Sequence, residues 1–409
     1  MPKIRLLSDL HIIYSLTLNK KLLNTGVQSF INENLNADIV SVLLKKSPFE
    51  GISPKELAQQ IESRKKCRSK LPEWYNTEGI YYPRKINIEQ CSSQITAAYK
   101  TEIIDGKSVF DLSGGFGVDS YFFSRKIAGV WHAEIDEELA EIAAYNFKKL
   151  GANNIHSLNT DGTVYLKNNK QKFDWIYIDP SRRSESHKKV YKLSDCHPDV
   201  AAHLDLIFSR TKNVLLKTSP LLDISAGIAS LQFVWEIHIV AINNEVKEAL
   251  WLLRSGFNGE ITIKTINFLR NSKQQFEFKI NTEKKAVSSL SNPLKFLFEP
   301  NAAIMKAGAF KLIGNQFSLN KLHEHTHLYT SDHLIEFPGR RFEILENIPY
   351  NKKALKSLGL NKANISVRNF PESVASIRKK FKIKDGGTTY LFFINDCNNE
   401  YRVLLCSRL

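Results

Sequence analysis

Short apolar stretches alternate with stretches of helical periodicity through the middle of the chain. The apolar stretches predict five β-strands, at 109–111, 130–134, 155–158, 174–178 and 213–217. Between the second and third, residues 137–150 carry apolar side chains every three or four positions, which predicts a helix with Asp136 as its N-cap. Alternating strands and helices are typical of an α/β fold with a parallel sheet.

A glycine cluster follows the first of these strands. Gly114, Gly115 and Gly117 lack Cβ atoms, so the backbone can turn tightly and lie close to a ligand. Alone, this cluster is equally compatible with an ordinary turn. The second strand, however, ends in Glu134, about twenty residues further on, where a carboxylate can accept hydrogen bonds from both hydroxyls of a ribose.

Two further acidic residues follow later strands. Asp161 either reaches the amino group of an adenine ring or makes a turn with Gly162, and the sequence leaves both interpretations open. The near-continuous apolar run 174–178 is typical of a central strand, and it leads directly into Asp179, Pro180, Ser181, Arg182 and Arg183. Open α/β sheets place their ligands at such strand ends.

The regions on either side of this core have different patterns. Residues 27–66 are mainly helical in their spacing, with a helix start at Ser53. The basic run 64–70 precedes four aromatic residues that either stack on bases or pack in a core: Trp74, Tyr75, Tyr81 and Tyr82. A polar linker at 281–293 precedes a C-terminal α+β region that ends in a hairpin of 388–394 and 401–406. We therefore expect a helical domain at 1–86, the α/β core at 87–280 and a basic domain at 294–409.

Composition narrows the possible functions. The chain has 409 residues and a formal net charge of +15, and the charge is unevenly distributed. Residues 261–409 hold 24 Lys and Arg against 12 Asp and Glu, whereas residues 101–260 hold 18 against 21. This distribution favours a polyanion bound by the flanking regions and a small ligand bound by the core.

The cysteines, the apolar runs and the histidines narrow the possible cellular setting and ligands further. The five cysteines are scattered, which indicates reduced thiols in a cytoplasmic protein. We expect no membrane span, because no apolar run approaches 18 residues. We also expect no metal, since His323, His325 and His327 provide fewer ligands than a zinc site needs. The sequence does not define an oligomeric state.

Glycine loop, acid, second acid and Asp-Pro occur in this order over about seventy residues, and the chain in this respect resembles the class I S-adenosylmethionine-dependent methyltransferases. A nicotinamide-binding Rossmann fold fits less well, because GGFG lacks the third glycine of G-x-G-x-x-G. Further segments resemble bacterial methyltransferases with a THUMP-like C-terminal domain. They are IEQCSSQITAAYK (88–100), DLSGGFGVD, DPSRR, FEPNAAIMKAG (298–308), HTHLYTSD (325–332), FPGR (337–340) and RNFP (368–371). The core is also similar to trimethylguanosine synthase, an enzyme that methylates the N2 atom of the RNA cap guanine.

The resemblance implies S-adenosylmethionine as cofactor and a Rossmann-like core with a small helical N-terminal domain and an α+β C-terminal domain. Asp111, Ser113 and the three glycines would hold the methionine portion, Glu134 the ribose and Asp161 the adenine. A segment before the core would close over the site through Gln90, Ser93 and Thr96.

The resemblance also implies roles at the strand end, with one departure. Asp179 and the Pro180 carbonyl would orient the nucleophilic nitrogen, while Arg182 and Arg183 would hold a base or a phosphate. Enzymes that methylate amino groups of bases usually have a second proline and an aromatic residue at the positions of Ser181 and Arg182. This departure leaves the methylated atom open.

Together these features predict a methyltransferase that acts on a nucleobase nitrogen in RNA, either tRNA or rRNA. The densest basic cluster of the C-terminal region would bind the nucleic acid through Arg378, Lys379, Lys380, Lys382 and Lys384. Two alternatives remain: a methyltransferase for protein or a small molecule, and a catalytically silent RNA-binding protein built on a methyltransferase scaffold.

Overall fold

The computed structural model describes residues 18–182 and 193–409, with only the backbone of Arg182. The described chain divides into two compact units. Unit 1 contains residues 18–182 and 194–215, and unit 2 contains residues 216–409 together with Leu193.

Unit 1 begins with six helices, which follow a short 3₁₀ turn at Lys20–Leu23. The third helix starts as the sequence predicts, because Ser53 and Glu56 form a capping box around its first turn. The helices are α1 (Thr25–Glu33), α2 (Ile39–Leu44), α3 (Pro54–Lys70), α4 (Pro72–Asn76), α5 (Lys85–Gln90) and α6 (Gln94–Ile103).

A parallel sheet follows, in which strands alternate with helices. Its elements are β1 (Ser108–Asp111), α7 (Val118–Ser124), β2 (Gly129–Glu134), α8 (Glu137–Lys149), β3 (Ile155–Asn159), α9 (Gly162–Asn168) and β4 (Phe173–Ile178). Strand β1 pairs in parallel with β2 on one side and β4 on the other, and β3 pairs with β2. The carboxyl ends of these four strands therefore lie along one edge, where the glycine loop and the acidic residues emerge.

The chain then returns to this edge and continues toward unit 2. Two short strands, β5 (Ser181–Arg182) and β6 (Cys196–His197), pair antiparallel just beyond β4. Helix α10 (Val200–Phe208) and strand β7 (Thr211–Thr218) follow, and residues 211–215 of β7 belong to unit 1. The five core strands predicted from the apolar pattern are all present.

The N-terminal helices and the sheet share one hydrophobic core. Trp74 and Tyr82 from the helical part are buried together with Phe122 of α7 and Phe147 of α8. Burial of such large apolar side chains is the main stabilising term in folding. The helical segment thus packs directly on the α/β part, and the division at residue 86 stays a prediction.

Unit 2 begins with helix α11 (Ile224–Ser230) and a group of four strands, β8 (Val234–Ile242), β9 (Glu245–Arg254), β10 (Thr262–Phe268) and β11 (Lys273–Lys279). Within this group, β8 pairs antiparallel with β9 and parallel with β10, and β10 pairs antiparallel with β11. Helix α12 (Ile280–Lys285) follows β11.

The C-terminal part of unit 2 is a seven-stranded sheet in the order β13-β14-β12-β15-β18-β17-β16. Its strands are β12 (Phe296–Pro300), β13 (Asn320–Lys321), β14 (Tyr329–Ser331), β15 (Gly339–Pro349), β16 (Asn364–Arg368), β17 (Thr389–Asn395) and β18 (Tyr401–Arg408). The helices are α13 (Ala302–Ala307), α14 (Leu312–Gln316), α15 (Lys352–Ser357) and α16 (Val374–Phe381). The predicted hairpin is the antiparallel pair β17 and β18.

Strand β17 lies between two hydrophobic cores. Phe392 and Ile394 belong to one cluster, whereas Leu391 and Phe393 belong to the other. Successive side chains of a strand point to opposite faces, so this strand is covered on both. The second cluster also contains Leu355 of α15 and Ile377 of α16. The apolar sides of these two helices therefore face the sheet, and their polar sides face away from it.

Candidate active site

The glycine loop rests on two aromatic rings at the carboxyl edge of the unit 1 sheet. A Cβ atom added at Gly114 would lie 2.3 Å from the His132 ring, and one at Gly117 would lie 2.3 Å from the Phe147 ring. Gly117 also has a φ of +83°, a conformation that residues with a Cβ rarely adopt. Gly115 also has a positive φ, of +59°, but a Cβ there would meet no atom closer than 3.9 Å. The loop is therefore packed underneath and open at Gly115.

Asp111 supports this loop from within. Its carboxylate is almost fully buried, and it accepts hydrogen bonds from the Ser120 hydroxyl at 2.6 Å and the Ser113 backbone N–H at 3.2 Å. Ser120 also lies 3.0 Å from Nδ1 of His132. Asp111 therefore fixes the conformation of the glycine loop. A direct contact between Asp111 and the methionine portion of a cofactor stays a prediction.

Glu134 connects the end of β2 to the glycine loop. One carboxylate oxygen accepts from the Gly115 N–H at 2.7 Å, and the other accepts from the Asp136 N–H at 2.8 Å. Each oxygen has a further lone pair, so the side chain is held in place while it remains able to accept hydrogen bonds. Asp136 caps α8 through the Leu139 N–H, as predicted.

Ser113 joins the glycine loop to the Asp-Pro segment. Its hydroxyl accepts a hydrogen bond from the Asp179 N–H at 2.6 Å. Asp179 is half-buried and Pro180 is buried, so the Asp-Pro pair lies against the loop. Arg182 pairs with Cys196 through its backbone, and Arg183 lies outside the described residues.

Asp161 is the N-cap of α9, and one of its oxygens accepts from Thr163 and Val164. The other oxygen lies 3.6 Å from Nε2 of His197. Partial burial opposes ionisation, but the hydrogen bonds from Thr163 and Val164 and the nearby His197 outweigh it and lower the pKa of Asp161. Asp161 therefore caps a helix where the sequence allowed a turn with Gly162. Its second oxygen faces His197 and keeps a lone pair for a ligand, so the adenine contact stays a prediction.

The segment before the core is organised around a buried ion pair that the sequence does not reveal. Ser93 caps α6 through the Thr96 N–H, Thr96 is buried, and Gln90 is exposed at the end of α5. Next to them, the fully buried Lys100 lies 3.2 Å from the Asp119 carboxylate.

Two hydroxyl groups complete this buried cluster. Ser92 and Tyr177 donate to the other Asp119 oxygen at 2.7 and 2.8 Å. Asp119 belongs to α7 and Tyr177 to β4, so the cluster fixes this segment next to the site. The proposed closing role of Gln90, Ser93 and Thr96 stays a prediction.

The five residues of the predicted nucleic-acid cluster have different surroundings. Arg378 binds Asp385 and is half-buried, and Lys380 lies 2.8 Å from Glu372. Lys379, Lys382 and Lys384 are exposed, and none of them has an ion pair within the described part of the chain. These three lysines, which we call the lysine cluster, are the ones free to bind an external anion.

The aromatic residues near the N-terminus have a structural role. Trp74, Tyr81 and Tyr82 are buried in the unit 1 core, so the base-stacking interpretation is wrong for these three. Tyr75 is half-buried, with the Arg64 guanidinium 5.5 Å from its ring centre. Periodicity alone cannot separate a packed aromatic residue from an exposed one at this position.

The described ranges 18–182 and 193–409 contain no group of three or more His, Cys, Asp or Glu residues placed to bind a metal ion. Nor does any described helix have both the length and the apolar character needed to cross a bilayer. His323 of the alternating histidines lies 3.1 Å from the Asn399 side chain and accepts from the His325 N–H.

Comparisons with known proteins agree with this architecture. Residues 296–338 match a family model described as a ferredoxin-like domain, and residues 339–408 match one described as THUMP domain-like. The crystal structure of a provisionally assigned methyltransferase from Porphyromonas gingivalis W83 superposes with a TM-score of 0.86 at 31% identity, over 95% of this chain and 98% of that chain.

More distant structural matches do not define the family or function of the chain further. A modification subunit of a provisionally assigned type I restriction enzyme from Vibrio vulnificus YJ016 has 13% identity and a TM-score of 0.35, over 47% of this chain and 56% of that chain, and supports no conclusion. The sequence matches no curated protein.

The parallel sheet and the glycine loop define a Rossmann-like class I methyltransferase fold, and the α+β region carries a THUMP-like domain, as the sequence predicts. The chain belongs to the family of the Porphyromonas gingivalis protein. The likeness of the core to trimethylguanosine synthase stays a prediction.

Proposed function

We propose that this protein is an S-adenosylmethionine-dependent methyltransferase that modifies a nucleobase nitrogen in RNA. The observation that carries the proposal is the connection of three polar elements at one sheet edge. Gly115 binds Glu134, and Ser113 of the same loop binds the backbone of Asp179. A ligand at this loop would therefore lie between the carboxylate of β2 and the Asp-Pro segment of β4.

The groups at the loop suit S-adenosylmethionine. The open side of Gly115 leaves room for the methionine portion beside Ser113 and Gly114, with Asp111 and Gly117 fixing the loop. Glu134 would accept from the ribose hydroxyls, and the Asp161 oxygen that faces His197 would accept from the adenine amine through its second lone pair. When bound, the cofactor supplies an electrophilic methyl group on a sulfonium.

The Asp-Pro segment would hold the substrate nitrogen. Asp179 is half-buried rather than fully enclosed, and its backbone is fixed by Ser113. Its carboxylate and the Pro180 carbonyl are acceptors that suit an N–H group, and correct positioning supplies much of the catalysis in such displacements. Arg182 and Arg183 would hold the base or an adjacent phosphate.

The C-terminal domain would bind the RNA. Residues 351–384 contain ten Lys and Arg against a single acid, Glu372, and the lysine cluster is exposed within this segment. The outward sides of α15 and α16 carry much of this charge, because their apolar sides are buried on the sheet. Such a surface suits the phosphate backbone of RNA.

The test measures cofactor binding and methyl transfer separately. Calorimetry should detect binding of S-adenosylmethionine or its demethylated product to the full chain. Transfer of a labelled methyl group to RNA should follow, and nucleoside mass spectrometry of RNA from a deletion strain should identify the missing modification. Asp179→Ala should lose methyl transfer but retain the cofactor, because its proposed contact is with the substrate.

Three results would contradict the proposal. Absence of cofactor binding would remove the enzyme assignment. Cofactor binding without turnover on any RNA would favour the catalytically silent scaffold, and transfer to protein or a small molecule with weak, salt-independent RNA binding would change the substrate class.

A further inference from the structure

His197 lies at the carboxyl edge of the unit 1 sheet, although nothing in the sequence singles it out. It belongs to β6, which pairs antiparallel with β5 so that His197 is directly opposite Ser181. Directly opposed residues of an antiparallel pair carry their side chains on the same face. The imidazole therefore lies beside the backbone that continues from Asp179 and Pro180.

Asp161 orients this imidazole. Since one oxygen of Asp161 caps α9, the other is the one that faces Nε2 of His197, at 3.6 Å. An ionised carboxylate next to Nε2 favours the tautomer with its hydrogen on that nitrogen, which leaves the lone pair on Nδ1. The His197 side chain is 55% exposed, so a substrate can reach the ring.

The described carboxylates closest to His197 along the chain are Asp195 and Asp199. Asp199, on the same segment, accepts from the Ala202 N–H as the N-cap of α10, and Asp195 precedes β6. Asp179 lies two residues before Ser181. The described ion pair of His197 is with Asp161.

We propose that His197, oriented by Asp161, accepts the proton that the target nitrogen loses on methylation. This inference rests on the proposed function. The lone pair of the target nitrogen forms the new N–C bond as the C–S bond breaks, and the electron pair of that bond stays on sulfur. The N–H proton passes to Nδ1 of His197, and the ionised Asp161 stabilises the resulting imidazolium.

The arrangement has the chemistry that proton transfer requires. Histidine is the side chain whose protonation changes near neutral pH, and a positioned carboxylate stabilises its charged form. General base catalysis of this kind contributes about 10²- to 10⁴-fold to a rate. Partial burial opposes ionisation of Asp161, but the hydrogen bonds from Thr163 and Val164 and the nearby His197 outweigh it and lower the pKa of Asp161, which favours the ionised carboxylate.

The first experiment does not require turnover. Nitrogen-15 NMR of the full-length protein shows which nitrogen of the His197 ring carries the hydrogen, with the signals assigned by their absence in His197→Gln. Asp161→Asn keeps a side chain able to cap α9 but removes the negative charge. In the wild type the hydrogen of the neutral His197 ring should lie mainly on Nε2, and this preference should be lost in Asp161→Asn, so an unchanged tautomer would overturn the proposal.

The second experiment measures catalysis. His197→Gln should lower kcat at least tenfold and abolish the rise of kcat with pH, while calorimetry finds cofactor affinity unchanged. His156→Gln, an exposed histidine on β3, is the matched control and should behave as wild type. Normal kcat and a normal pH profile in His197→Gln would refute the role of His197. A wild-type protein that binds cofactor but methylates no RNA would instead refute the proposed function, and the tautomer measurement would still test the pairing of His197 with Asp161.

Discussion

The charged groups of the candidate active site in unit 1 are held by neighbouring residues, whereas those of the lysine cluster in unit 2 are exposed to solvent. In the site, Asp111, Glu134 and Asp119 are each bound by neighbouring N–H or O–H groups or by Lys100. In the cluster, Lys379, Lys382 and Lys384 are exposed and have no ion pair among the described residues. The first arrangement fixes a geometry, whereas the second remains available to a partner. Substitutions in the two regions should therefore differ in kind.

The largest effect is expected at the buried pair Lys100 and Asp119. Asp119→Ala leaves the Lys100 ammonium without its carboxylate at a fully buried position, which typically costs about 3–5 kcal/mol. Urea denaturation should show this as a lower midpoint. Glu62→Ala, which breaks an exposed pair with Lys85, is the control and should change little. An equally small loss in Asp119→Ala would mean that the pair does not hold the site together.

Gly117→Ala should be the next most harmful. The new methyl group would clash with the Phe147 ring, and the residue would also keep an unfavourable positive φ. We expect the clash to lower the free energy of unfolding by about 1–3 kcal/mol beyond the cost of the backbone conformation alone. Gly151→Ala provides the matched control, because its φ is +75° and no atom lies within 4 Å of its Cβ position. Equal midpoints of thermal unfolding in the two variants would contradict the packing argument.

Glu134→Ala should weaken cofactor binding more than it weakens the fold. Hydrogen bonds to a charged group contribute about 1.5–3 kcal/mol each, so the affinity should fall at least tenfold. Calorimetry on the folded variant measures this, with the exposed neighbour Glu137→Ala as control. Unchanged affinity would remove Glu134 from the proposed ribose contact.

The lysine cluster should act through salt dependence rather than through stability. Replacing Lys379, Lys382 and Lys384 by Gln should flatten the slope of log affinity for RNA against log salt by about two to three units. The control replaces three exposed lysines of unit 1, at positions 45, 46 and 55, by Gln, so the two triple variants have the same net charge. Filter binding that gives the same slope for both triple variants would show that the cluster makes no phosphate contact.

The sequence predicted best those features that depend on neighbours along the chain. The Asp136 cap, the Ser53 capping box and the β17–β18 hairpin each need only a few consecutive residues, and all three are confirmed. The five core strands were predicted from short apolar stretches for the same reason.

Features that depend on distant residues were not predicted. Lys100 and Asp119 are nineteen positions apart, and His197 reaches Asp161 only because the chain returns as β6. For Trp74 and Tyr82 the sequence left base stacking and core packing both open, and the two side chains pack in the core beside α7. Tertiary packing decides whether an aromatic side chain is buried or exposed, and local composition does not determine that packing.

The hydrogen bond between Gly115 and Glu134 has a consequence for the thermodynamics of recognition. A free glutamate side chain samples many rotamers, and restricting it costs up to about 2 kcal/mol of conformational entropy. Because the Gly115 and Asp136 amides already restrict Glu134, that entropy is lost when the chain folds rather than when a ligand arrives. Binding of a ribose would therefore cost Glu134 little further conformational entropy, and release of the ligand would return little entropy to this side chain.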